Sequence, residues 1–321
     1  MEKIRLYFCD FWKSHTFEND FFVNILKNKY EIVEDSKNPD FIIYSCYGYK
    51  HRKYKCPRIF YSGENLTPDF NTCDYAIGFD RLDFGERYLR VPIYYFFDKI
   101  RNKPDMPLNP ENREFCSFIY SNGVYCDSIR IKFFKLLSEY KKISSAGALL
   151  NNTGTKAKDK IEYLKNFKFT IAFENSSSKG YVTEKIYDAF LAHTVPIYWG
   201  DPDIAKEFNP EAFINISDYK TLDEAAEKII QLDKNDELYL KMLNTPYLKD
   251  REFACGLSDK KITEFFDNIF QNKGKFYRKD FPPCRDKRKG FLKKNQRNYL
   301  EAPDKFLGVI SLSSASLNSF L

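Results

Sequence analysis

The sequence predicts an α/β protein made of two Rossmann-like domains facing a cleft. Three observations carry that expectation. Short apolar segments of strand length alternate with segments whose apolar residues recur at helical spacing. The stretch from Phe167 to Gly200 reads in full as strand, polar loop, helix and strand. A polar segment with three prolines, residues 101–114, separates two halves written in the same grammar.

In the first half, KIRLYFCDF reads as a strand and DFFVNILKNKY as a helix with Phe22, Ile25 and Leu26 on one side. FIIYSCYGY, RIFYSGEN and YAIGF are short apolar strands, and RYLRVPIYYFF leads out to the linker. The second half restarts with a strand, FCSFIYSN. A helix follows, DSIRIKFFKLLSEYKKI, capped by Asp127 or Ser128. SSAGALLNNTG reads as a loop and DKIEYLKNF as a short helix. Beyond the central stretch, TLDEAAEKIIQLDKNDELYLKML and KKITEFFDNIFQN read as helices. The expected division is 1–105, 106–272 and a basic segment 273–321 that packs back on the first domain or faces a membrane.

The central stretch is a βαβ unit. Thr183 is the expected N-cap of its helix, with Ile186, Phe190 and His193 on one face. A short crossover makes the two strands parallel and the connection right-handed. Ligands of such sheets lie beyond the carboxyl ends of the strands. The loop ENSSSKGYV sits there, ahead of a helix N-terminus, where backbone N–H groups favour an anion. A phosphate-bearing ligand at residues 174–185 is the expectation.

Composition narrows the class. The chain has 321 residues, enough for two domains, and 43% apolar residues, enough to build cores. No leader peptide is read at the N-terminus, and no run approaches the roughly 18 apolar residues of a membrane helix. Eight cysteines occur without a CxxC and three histidines do not cluster, which argues against zinc and for reduced thiols in a cytoplasmic protein. Residues 273–297 hold eleven Lys and Arg against Asp280 and Asp286, a net of +9. The whole chain carries +6, so the remainder carries −3. A folded part without a basic face argues against a nucleic-acid partner.

Three places can carry chemistry. Arg130 opens a helix, where a cation opposes the helix dipole by about 0.3–1 kcal/mol. The placement makes sense if the Arg and the helix end grip one anion; the alternative is a solvated Arg. In YVTEK, Lys185 can neutralise phosphate as a point cation, and Glu184 can accept sugar hydroxyls or steady positive charge on a reacting ring. The alternative is a solvated first turn. Glu64 follows the strand RIFY, with Gly63 permitting a tight turn that exposes its carboxylate. A base in one domain and a phosphate site in the other is what a direct glycosyl displacement needs. Asp201 and Asp203, either side of a proline, read as a turn in preference to a metal site.

FTIAFENSSSKGYVTEKIYDAFLAHTVPIYWGDPDIAKEF closely resembles the signature of the α1,3/4-fucosyltransferases, glycosyltransferase family 10, in their bacterial, Helicobacter-type form. IFYSGEN with PDFNTCDYAIGFD, RYLRVPIYY, AGALLNNTG, FNPEAFINI and CRD at 284–286 match the same pattern in order, over most of residues 55–290. The resemblance implies a GT-B fold and an inverting, metal-independent transfer of fucose from GDP-β-L-fucose, with no cofactor. It implies Glu64 as general base and Arg130 and Lys185 as holders of the diphosphate. Asn175, Tyr181 and Glu184 become donor-site residues, Glu184 steadying the fucosyl cation-like state. The implied acceptor is the GlcNAc of a LacNAc-type chain, as in Lewis antigens on lipopolysaccharide. A related GDP-sugar transferase with another donor or linkage, or a non-catalytic basic lipid- or nucleic-acid-binding protein, are the alternatives. The loop SSSKGYV departs from the family's more Gly/Tyr-rich form and adds Lys179. The basic segment implies peripheral contact with anionic lipid at the cytoplasmic face of a membrane. Trp12, Tyr47, Tyr49 and His51 are candidates for stacking on acceptor sugars.

Overall fold

A computed structural model describes residues 1–100, 112–121, 123–124, 126–248 and 256–279 of the chain, residues 98–100 by backbone alone. The chain forms two compact units. Unit 1 takes Met1–Gly78, Leu82–Leu89 and the chain from Leu257 on; unit 2 takes Phe79–Arg81 and Arg90–Gly256.

In chain order the first elements are β1 (Lys3–Cys9), α1 (Phe21–Leu26), β2 (Glu31–Glu34), β3 (Phe41–Tyr44), β4 (Arg58–Tyr61), β5 (Tyr75–Gly78), β6 (Tyr88–Arg90) and α2 (Ile93–Ile100). Then follow β7 (Glu114–Phe118), α3 (Ile129–Ser138), β8 (Ile143–Ser145), α4 (Lys160–Leu164), β9 (Phe167–Phe173), α5 (Glu184–Leu191) and β10 (Val195–Trp199). The last are β11 (Ile214–Asn215), α6 (Leu222–Asp233), α7 (Asp236–Leu243) and α8 (Asp259–Gln271).

Unit 1 carries a six-stranded sheet in the order β2-β1-β3-β4-β5-β6. The pairs β1–β2, β1–β3, β3–β4 and β4–β5 are parallel. Every residue of β3, FIIY, is buried, as a parallel strand covered on both faces requires. The order reverses between β1 and β3, so the loops after these strands border the ligand crevice of such a sheet. Helix α8 returns to close this unit. Phe266 packs on Phe22 with ring centres 5.7 Å apart, and Phe270 lies 5.0 Å from Phe41. Asp267 accepts from Lys29 Nζ at 2.6 Å and from the Tyr30 hydroxyl at 2.5 Å.

Unit 2 carries a five-stranded sheet in the order β11-β10-β9-β7-β8, parallel at each pair. Its reversal falls between β7 and β9. The loops after these two strands, 119–128 and 174–183, are therefore its ligand edge. Phe115, Phe169, Ile171, Phe173, Val195 and Ile197 form the centre of the core.

Several boundaries differ from those read in the sequence. The division placed at 272 falls at 257, because the apolar face of α8 is taken by α1 and β3 of unit 1. The helix read over 221–243 is two helices, since Asn235 caps a new one by accepting from Leu238 N at 3.0 Å. Strands β2 and β8 were hidden at the ends of helical readings, having four and three residues. His193 ends α5 in a left-handed conformation, φ 50°, and is not on its face. Most of the proline-rich linker (101–111), CRD at 284–286 and the basic run from 280 on lie outside the described residues. Of the cations that begin that run, Lys273 pairs with Asp40 at 2.7 Å and Arg278 pairs with the buried Asp74.

Candidate active site

The residues singled out in the second half gather at the reversal point of unit 2. Arg130 enters from the first turn of α3 and is 1% exposed. Its guanidinium lies 4.0 Å above the Tyr120 ring, and Nη2 donates to Phe173 O and Asn175 Oδ1, each at 2.9 Å. The solvated alternative is thereby excluded. Asn175 also ties the two loops together, its carbonyl accepting from Asp127 N at 2.8 Å. Of the two cap candidates for α3, Ser128 holds the N-cap position without a side-chain bond, while Asp127 Oδ1 accepts from Ile129 N at 2.9 Å.

Lys185 enters from the first turn of α5. Its Nζ donates to Glu174 Oε2 at 3.0 Å and Thr183 Oγ1 at 2.9 Å, and lies 3.7 Å from Glu184. Glu174, at the end of β9, has no exposed surface and also accepts from Thr183 N at 2.8 Å. These donors offset the cost of burying a carboxylate so completely. Burial alone would push the Lys185 ammonium down, but Glu174 and Glu184 raise it above its ordinary value. Burial alone would push the Glu184 carboxyl up, but Lys185 and then Lys160 bring it below its ordinary value. Tyr120 sits between the two cations in the electrostatic sense. Burial raises its phenol to about 12, against the pull of Arg130 and Lys185.

Tyr181 is 2% exposed, its ring 5.1 Å from Phe79. That contact needs the preceding turn to come close: at Gly180, φ 85°, an added Cβ would fall 2.6 Å from Phe79 O. Lys179 is exposed. Asp201 belongs to a separate ionic cluster, accepting from Arg81 Nη2 at 2.8 Å, and Glu207 takes Arg81, Arg90 and Tyr94 within 2.6 Å.

Glu64 lies in unit 1, half-buried on the turn after β4. The Tyr47 hydroxyl donates to its Oε1 at 2.7 Å, and Ser62 Oγ accepts from Glu64 N at 3.0 Å. Gly63 has no positive φ and open space where a Cβ would be, so the turn does not depend on glycine. The four stacking candidates separate. Tyr47 reaches Glu64, and Trp12 stands edge-on to Tyr47 at 6.4 Å. Tyr49 is exposed under the Arg52 guanidinium at 4.8 Å. His51 is buried, its Nδ1 2.7 Å from Asp10 Oδ2. Glu174, Tyr120 and Asp10 were missed by sequence reasoning. Asp10 and Glu174 each stand immediately after an apolar strand and Tyr120 two residues after one, which is the signal that could have found them.

Two Rossmann-like units, each built on a parallel sheet, have the architecture of the GT-B fold. The sequence matches the family "Alpha-(1,3)-fucosyltransferase FucT N-terminal domain" over residues 6–97 and "Glycosyltransferase family 10 (fucosyltransferase) C-term" over residues 110–247. A crystal structure of an alpha1,3-fucosyltransferase superimposes with a TM-score of 0.79 at 32% identity, over 88% of this chain and 93% of that one. The same comparison with a crystal structure containing GDP-fucose gives 0.75, over 87% and 93%. The chain therefore belongs to glycosyltransferase family 10, the fucosyltransferases. It is 37% identical to the alpha-(1,3)-fucosyltransferase FucT of Helicobacter pylori, over 71% of this chain and 56% of that protein. It is 30% identical to the human 4-galactosyl-N-acetylglucosaminide 3-alpha-L-fucosyltransferase 9, over 48% of this chain and 43% of that protein. The chain thus spans about half the length of these curated relatives.

Proposed function

We propose that the chain is an inverting α1,3-fucosyltransferase, moving L-fucose from GDP-β-L-fucose to the GlcNAc of a LacNAc-type glycan carried on lipopolysaccharide. One observation carries this reading. The buried Arg130 and the partly buried Lys185 lie at the ligand edge of unit 2, in a chain 32% identical to an alpha1,3-fucosyltransferase crystallised with GDP-fucose. The human relative, named a 4-galactosyl-N-acetylglucosaminide 3-alpha-L-fucosyltransferase, supports the acceptor and the linkage.

In this reading unit 2 binds the donor and unit 1 the acceptor. The GlcNAc oxygen attacks fucosyl C1 as Glu64 takes its proton, and the bond from C1 to the diphosphate oxygen breaks with inversion. Arg130 and Lys185 offset the charge that gathers on departing GDP, so no metal is needed for that task. Glu184 steadies positive charge on the fucosyl ring, while Asn175 and Tyr181 keep the donor loop in place. The basic segment from 273 attaches to anionic lipid on the cytoplasmic face, at about 1 kcal/mol per well-placed cation. Lys273 and Arg278 are already paired within unit 1 and add little to that.

Incubation with GDP-fucose and type 1 or type 2 acceptors, with and without a chelator, tests the proposal. The expected product is α1,3-linked on the type 2 chain and forms equally in chelator. Equal transfer from another GDP-sugar would reassign the donor. Glu64→Gln is expected to lower kcat by roughly 10²–10⁴-fold while GDP affinity stays unchanged. A near-normal rate in that variant would remove Glu64 as the base.

A further inference from the structure

We propose that Tyr47 is a positioning residue for the base, its phenol holding the Glu64 carboxylate, and that an Asp10–His51 clamp holds Tyr47 in turn. The inference rests on the reading of Glu64 as the base. Strands β3 and β4 are parallel neighbours, so the loops at their carboxyl ends lie side by side. That places Tyr47, from the first loop, with its hydroxyl 2.7 Å from Glu64 Oε1, on the second.

The connection from β3 to β4, residues 45–57, has only the short 3-10 turn Lys50–Lys53 as regular structure, and Asp10 just after β1 ties its first half down. Its carbonyl accepts from Tyr47 N at 2.9 Å. Oδ1 accepts from Lys50 N at 2.9 Å, and Oδ2 accepts from His51 N at 3.0 Å. The same Oδ2 lies 2.7 Å from His51 Nδ1, and the imidazole stacks on Tyr44 with centres 4.1 Å apart. Asp10 makes these contacts from a left-handed backbone, φ 60°, a conformation uncommon for a non-glycine residue. Gly48 fits the same clamp: a Cβ there would fall 2.4 Å from Asp10 Oδ1. The loop is thus built around one buried carboxylate, and the side chain it delivers to Glu64 is Tyr47.

A carboxylate that accepts a hydrogen bond is favoured in its ionised form and in one orientation. A base needs both before the acceptor arrives. Cys46 and Ser62 also border this turn. Burial first, and then the Glu64 charge, push the Cys46 thiol up to about 11, so it stays neutral where a carboxylate titrates. The Asp10 carboxyl is lowered from its ordinary value by His51 and by the backbone N–H groups, against the opposing effect of burial.

The test is steady-state transfer by the full chain carrying Tyr47→Phe, beside Glu64→Gln. Tyr47→Phe is expected to lower kcat roughly tenfold, the effect of losing one hydrogen bond to a charged group. The acidic limb of its kcat/KM profile should move up by about one pH unit. GDP affinity and melting temperature should match the parent. His51→Ala should lower kcat in the parent and add nothing in the Tyr47→Phe background, since both act on one element. An unmoved acidic limb, or additive losses, would overturn the inference. If Glu64→Gln is strongly impaired and the Tyr47→Phe profile is that of the parent, this inference falls alone. If Glu64→Gln transfers normally, the reading of the base falls and takes the inference with it.

Discussion

The two units end their strands on opposite kinds of charge, held in opposite ways. In unit 2 the cations are tied down, the buried Arg130 by carbonyl, amide and ring and the partly buried Lys185 by carboxylate and hydroxyl. In unit 1 the carboxylate of Glu64 stands half-buried on a turn, steadied by the neutral phenol of Tyr47. The difference suits the two tasks. Holding a leaving diphosphate takes charge fixed in place before the reaction, in surroundings that screen it little. Accepting a proton takes a group free to change its charge, and a buried ionic partner would oppose that change.

The comparison can be broken at its strongest point first. Lys185→Ala should lower kcat/KM by roughly 10²–10³-fold, as loss of one preorganised electrostatic donor does elsewhere. It should also weaken GDP binding measured by calorimetry, and GDP affinity equal to the parent's would remove Lys185 from the donor site. A smaller effect, roughly tenfold, is expected of Arg130→Lys. An ammonium keeps the charge but loses the planar fork that faces Phe173 O and Asn175 Oδ1 and the stacking on Tyr120. Equal kinetics for that variant would mean that charge alone matters there. The smallest effect concerns stability. The Glu184 carboxyl is held below its ordinary value of 4.5, so its contribution is present above that pH. It is lost as pH falls through the lower, folded-state value. Thermal melts of the parent and of Glu184→Gln should therefore converge on acidification below about pH 4.5. Curves that stayed parallel would show that Lys185 and Lys160 do not hold the carboxyl down.

Much of unit 2 was legible because its signals are local. The strand of Phe167–Phe173 and the cap at Thr183 depend on neighbours in sequence, and the structure has both. What stayed hidden depends on distant partners. Glu174 reads as one more loop acid until Lys185 and Thr183 are folded around it. Asp10 and His51 are forty-one residues apart, and neither has a pattern that points to the other. The amphipathic period of α8 announced a buried face but not which unit would bury it. Short strands such as β8, with three residues, give periodicity too little room to register.

The return of α8 to unit 1 has a consequence for the order of assembly. Residues 90–256 interrupt unit 1 in the sequence, so a ribosome releases all of unit 2 before the last pieces of unit 1 emerge. Until then Phe22 and Phe41 lack the rings of Phe266 and Phe270, and Asp74 is a carboxylate waiting for Arg278. Unit 2, continuous but for Phe79–Arg81, has its own sheet complete by Asn215. Both sheets are therefore synthesised before α8 emerges, and the half that begins the protein is the last to be completed.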